Sequence, residues 1–214
     1  MTSNAQEHIS QITNQKRIKY LDISNRDLTG DPDLKDFTTL TSLNSYNNKF
    51  ENLDFLNSLP NKNKLQNLNF FGNQIKELDL AHLISTFPNL QKINCGNNPL
   101  KAKNLDNLTS EQFGKLVAGM KDKNIQINSY KGTILMDLLE YAQKLVAKGN
   151  NNQQQNAQYL QTLISGNSPS QPIESKQPKN NSPLLIGGLA VAVISAVAIG
   201  YLWGKKRKDD KKEY

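Results

Sequence analysis

The chain has 214 residues, 36% hydrophobic and 7% aromatic, with one cysteine and a formal net charge of +7. A single cysteine excludes an intramolecular disulfide framework, and the small aromatic share predicts one modest aliphatic domain plus segments that are not domain. Residues 205–214 hold six Lys/Arg and three Asp/Glu, leaving 20 basic and 16 acidic side chains, net +4, in the first 183 residues; so even a balance argues against a nucleic-acid-binding face.

Residues 1–17 read as a polar leader or cap with no apolar run of secretory length. From residue 18 an eleven-residue frame recurs: "IKYLDISNRDL" (Ile18–Leu28), "LTSLNSYNNKF" (Leu40–Phe50), "LQNLNFFGNQI" (Leu65–Ile75) and "LQKINCGNNPL" (Leu90–Leu100). Its equivalent positions Leu21, Leu43, Leu68 and Ile93 stand 22, 25 and 25 residues apart, and a weaker copy, "NIQINSY" around Ile125 and Ile127, follows after 32. Each copy alternates apolar and polar residues, the period of a half-buried strand, and breaks where Gly72-Asn73 stands in the third. No single unit can bury its apolar face, so neighbours must stack.

The frame resembles that of the leucine-rich repeat family, L-x-x-L-x-L-x-x-N-x-L on a unit of 20–29 residues. The resemblance runs from Ile18 to Tyr130 and departs at Arg26, where the frame has Asn, at the inward Ser45, and at Tyr130. It implies an α/β fold over 18–132, a short curved solenoid of four or five repeats with a parallel sheet. It also implies that Asn48, Asn73 and Asn98 turn inward and bond the backbone of the tight turns as a ladder.

Strand parity places Leu21, Ile23, Leu43, Leu68, Phe70, Ile93 and Cys95 inside, which makes the cysteine an inert buried thiol. The opposite parity gives the concave face: Tyr20, Asp22 and Ser24; Ser42, Asn44 and Tyr46; Asn67, Asn69 and Phe71; Lys92, Asn94 and Gly96; then Asn124, Gln126 and Asn128 in the same columns. This surface is nearly uncharged and amide-rich, with Tyr46 beside Phe71. It is either a binding surface, since aromatics within a polar rim are typical anchors, or a solvated face with a stabilising cross-strand pair. Five strands make a row only about 20 Å long.

Beyond the fourth copy, "LTSEQFGKLVAGM" (Leu108–Met120) has a Thr109-x-x-Gln112 capping box and apolar residues at helical spacing. Residues 133–165 supply an amphipathic helix over Ile134–Lys148 and a shorter one over Ala157–Ile164. These helices cover the last repeat or, on the sharper reading, bind a partner. Residues 166–183 are a Pro/Ser/Asn linker, too polar to offset their ordering entropy. Residues 184–203 contain no charge and are long enough to span a bilayer, with Tyr201 and Trp203 at an interfacial position before the basic tail 204–214. Within that span Gly188, Ala192, Ala196 and Gly200 form a small-residue stripe, which suits a homodimer in lipid.

Two rules conflict over orientation. The basic tail favours repeats outside, whereas moving a whole domain across a membrane needs a leader; a tail anchor with cytosolic repeats is the weaker conflict, and an extracellular domain is the alternative. Catalysis has little to stand on: two histidines, scattered carboxylates, no phosphate loop and no metal-ligand cluster. The sequence therefore predicts a membrane-tethered, non-enzymatic protein that binds another protein, takes no cofactor or metal and binds no nucleic acid. The rival is a membrane-organising protein that assembles with itself.

Overall fold

The computed structural model describes residues 3–129 and 133–165. In chain order these form β1 (Ser3–Asn4), α1 (Ala5–Ser10), β2 (Tyr20–Asp22), β3 (Leu28–Thr29), β4 (Ser42–Asn44), β5 (Asn67–Asn69), β6 (Glu77–Leu78) and α2 (Leu80–Thr86). There follow β7 (Lys92–Asn94), β8 (Lys101–Ala102), α3 (Ser110–Asp122), β9 (Gln126–Asn128), α4 (Thr133–Ala147) and α5 (Gln154–Ile164). The fold is mixed α/β with parallel sheets. A five-stranded sheet takes its strands in sequence order, β2-β4-β5-β7-β9, and β1-β3 and β6-β8 form two-stranded sheets beside it.

The register follows the repeat through its first four copies. Leu21 pairs with Leu43, Leu43 with Leu68 and Leu68 with Ile93. All four are buried, as are Ile23, Phe70 and Cys95 one period further along. Ser45, polar at an inward position, is also buried and donates from Oγ to Asn69 O at 3.0 Å, so its hydroxyl enters the core satisfied.

Each of the first four units turns sharply after its strand through a residue in the left-handed region, Asn25 (φ 55°), Asn47 (φ 52°), Gly72 (φ 69°) and Asn97 (φ 52°), and the first unit has a second at Asp27 (φ 55°). Asparagine and glycine tolerate that region best, which explains the Asn-Asn and Gly-Asn pairs of the frame. At Gly72 a side chain would also come within 3.5 Å of Asn47 Cα.

The fifth strand departs from the spacing. Lys92 pairs with Gln126 and Asn94 with Asn128, so Gln126 stands one column earlier than expected and Asn124 precedes the strand. A slip of two residues leaves both faces unchanged, which is why parity could not detect it. The helix α3 lies between β7 and β9 as the return segment of the fourth unit, not over the end of the array, and its length is what lengthens that unit. Thr109 caps it, accepting from Gln112 N at 3.2 Å while Gln112 Oε1 accepts from Thr109 N at 2.8 Å.

The ends are closed by packing. At the front, Asn4 Oδ1 accepts from Gln6 N and Glu7 N, and α1 buries Ala5 and Ile9, so the polar leader is partly core. At the back, α4 and α5 pack together; Tyr141 Oη donates to Leu108 O at 2.6 Å and its ring meets Phe113 edge-on at 5.2 Å. The linker 166–183, the apolar segment 184–203 with Gly188, Ala192, Ala196 and Gly200, and the tail 204–214 lie outside the described residues. Among the described residues no helix is long and apolar enough to cross a membrane.

Candidate functional site: the open face of the five-stranded sheet

Three buried or half-buried asparagines fix the turns beneath this face. Asn73 Oδ1 accepts from Phe50 N at 3.1 Å, while its Nδ2 donates to Ser45 O at 2.9 Å and Phe70 O at 3.0 Å. Asn98 repeats the pattern one unit on, with Ile75 N as donor and Phe70 O and Cys95 O as acceptors. Asn48 accepts from both Arg26 N and Leu28 N and donates to Ile23 O and Ser45 O. Each amide thus ties its own turn to that of the preceding unit. Where Arg26 stands in place of the frame's asparagine, its backbone N–H makes one additional bond to Asn48 Oδ1, at 3.1 Å.

The outward residues form a second, parallel system. Asp22, Asn44, Asn69, Asn94 and Asn128 stand in one row across the sheet. Asn69 Nδ2 donates to Asn44 Oδ1 at 2.9 Å, and Asn44 and Asn69 each accept the backbone N–H two residues ahead, from Tyr46 and Phe71. At the first position Asp22 accepts from Ser24 Oγ at 2.6 Å, Ser24 N at 2.9 Å and Tyr20 Oη at 3.2 Å. These donors, the Ser24 hydroxyl foremost, hold its carboxyl below the usual range. The row breaks at Asn94, whose Oδ1 is buried without a partner among the described residues.

Of the predicted face, Tyr20, Asn44, Asn67, Asn69, Lys92, Asn94 and Gln126 line one open groove of about 650 Å³. Tyr46 and Phe71 stand beyond it as a stacked pair, ring centroids 5.5 Å apart and planes 17° from parallel; Asp22 also falls outside the lining. Tyr20 and Tyr46 are 56% and 38% exposed, whereas Phe71 is half-buried. Leu163 of α5 closes one end of the groove. Sequence reasoning missed it, although its spacing from the buried Leu160 puts it on the same side of that helix.

The arrangement offers neutral hydrogen-bond donors and acceptors, two exposed phenols and one cation, Lys92. Among the described residues no three His, Cys, Asp or Glu side chains come together to hold a metal ion. Behind the face, burial pushes the Cys95 thiol up to about 12, and Sγ contacts Asn128 O at 3.5 Å. In the folded chain at pH 8, Cys95 should therefore resist a thiol reagent, and its labelling rate should rise with denaturant in step with loss of helical circular dichroism. Rapid labelling of the folded chain would show that the thiol is accessible. Compared with protein-family models and with curated proteins, the chain matches none.

Proposed function

We propose that residues 18–132 are a leucine-rich repeat solenoid, closed by 1–17 and 133–165, that residues 184–203 hold to a membrane through the linker 166–183. On this reading the chain is not an enzyme, and its concave strand face binds another protein. The observation that carries the binding reading is the open groove of about 650 Å³ across the strand face, lined by amide side chains. The stacked Tyr46–Phe71 pair adds an amphipathic anchor beside the groove. A tail anchor with a cytosolic domain requires only the short tail 204–214 to cross the membrane, although the basic charge of that tail favours the opposite orientation.

Affinity capture with the full-length chain from its native membranes tests this. Tyr46→Ala and Phe71→Ala should each lower recovery of the captured protein more than about fivefold, a cost above about 1 kcal/mol, while the chain keeps its melting transition. Recovery of the bait alone would support self-assembly instead. Unchanged recovery with both variants would leave the face as a solvated surface.

A further inference from the structure

The segments that precede the five strands of the large sheet stack along one rim: residues 15–19, 36–41, 61–66, 88–91 and 121–124. Hydrogen bonds join each to the next. Thr39 Oγ1 donates to Lys16 O at 3.0 Å, Asn61 Nδ2 to Thr38 O at 2.8 Å and Asn89 Nδ2 to Asn63 O at 2.6 Å. Gln126 N, just past the fifth loop, donates to Gln91 O at 2.8 Å.

This rim concentrates the positive charge of the domain. It carries Lys16, Arg17 and Lys19 on the first loop, Lys62 and Lys64 on the third, and Lys121 and Lys123 at the end of α3 and just past it, against only Asp36 and Asp122. Seven cations and two anions give net +5, more than the net +4 of the first 183 residues, so the remainder of that stretch is net −1. The five ion pairs among the described residues all lie elsewhere. Lys62, Lys64 and Lys123 reach neutral backbone carbonyls, which leaves their charge uncompensated. The cationic loops are every second rung, about 10 Å apart, close to the ~10 Å Debye length at 0.1 M salt, so their potentials still overlap along the rim.

Phe37, the one aromatic residue in the five loops, is buried, while Tyr20 is exposed at the start of β2. A row of lysines on three of the five loops suits a flat array of diffuse negative charge. We propose that this rim lies on anionic lipid headgroups of the membrane that residues 184–203 enter, an inference that rests on the anchoring reading above. The solenoid then stands on its strand-leading edge, with its groove open to the side.

The full-length chain, reconstituted into phosphatidylcholine vesicles with or without phosphatidylserine, provides the test through residue-resolved amine acetylation. Acetylation of Lys16, Lys19 and Lys121 should slow at least about threefold in the anionic vesicles relative to the neutral ones. Lys76 and Lys101, exposed on the segments that follow the strands, should not change. In 1 M salt, where the Debye length falls to about 3 Å, the difference should vanish. Equal acetylation in both vesicle types, with the chain floating on both, overturns the rim proposal and leaves the anchor standing. Flotation on anionic vesicles alone, abolished by 1 M salt, supports the rim and removes the anchor. Protection of the same lysines by single-stranded nucleic acid but by neither vesicle assigns the rim to a different polyanion and overturns the proposal.

Discussion

Phe70→Ala should lower unfolding free energy by about 3–5 kcal/mol, whereas Phe71→Ala, one residue along, should cost about 1 kcal/mol. Phe70 is fully buried on the inner face of the sheet. Removing its ring leaves a cavity that the stacked strands on either side cannot close without losing their pairing. Phe71 points the other way, half-buried against Tyr46, and its truncation forfeits one ring contact. Denaturant midpoints for the two variants measure the contrast. If the costs were exchanged, the strand would be slipped by one residue and every inward and outward assignment would reverse.

Asn73→Ala should cost about 1–3 kcal/mol although it removes no apolar surface of consequence. The substitution leaves Phe50 N without its acceptor, and Ser45 O and Phe70 O without a donor, in a place water does not reach. The three groups belong to two adjacent units, so the loss should lower the cooperativity of unfolding as well as its midpoint. Asn73→Asp sharpens the prediction. The oxygen facing Phe50 N remains, but the other now faces carbonyl oxygens, which disfavours ionisation and raises the folded-state pKa of the new carboxyl above its unfolded value. Stability should therefore be greater below the ordinary carboxylate range and should fall as pH rises through the raised folded-state pKa. A stability that instead rose with pH would mean that the carboxylate is bonded by donors.

Much of this was legible because the unit frame carries two independent signals. Alternation assigned Leu68 and Phe70 to one face and Asn67, Asn69 and Phe71 to the other, and burial follows that division. The repeated asparagine position marked Asn48, Asn73 and Asn98. Alternation failed where it is degenerate: Ile125 and Ile127 both fit the place of Ile93, and only the helix end, with Ile125 N donating to Met120 O, decides between them. The strands β1, β3, β6 and β8 were not legible at all, since two residues are too short a window for any period. The front cap was readable in principle from Asn4 before Ala5 and Ile9, an N-cap followed by apolar residues one helical turn apart. At the candidate site, which residues face outward followed from parity. That Asn44 and Asn69 bond each other while Asn94 is left unpaired depends on side-chain torsions that no spacing encodes.

The asparagine ladder runs in one direction along the chain, and this sets an order on synthesis. Phe50 N is bonded by an amide 23 residues later, and Ser45 O by one 28 residues later. A nascent chain leaving the ribosome therefore cannot complete the turn of any of the first three units until the following unit has cleared the exit tunnel. The growing end always trails one unfinished turn, and each new asparagine completes the previous unit before its own. Ribosome pausing would accordingly be best tolerated just after residues 48, 73 and 98 have emerged, and worst tolerated just before.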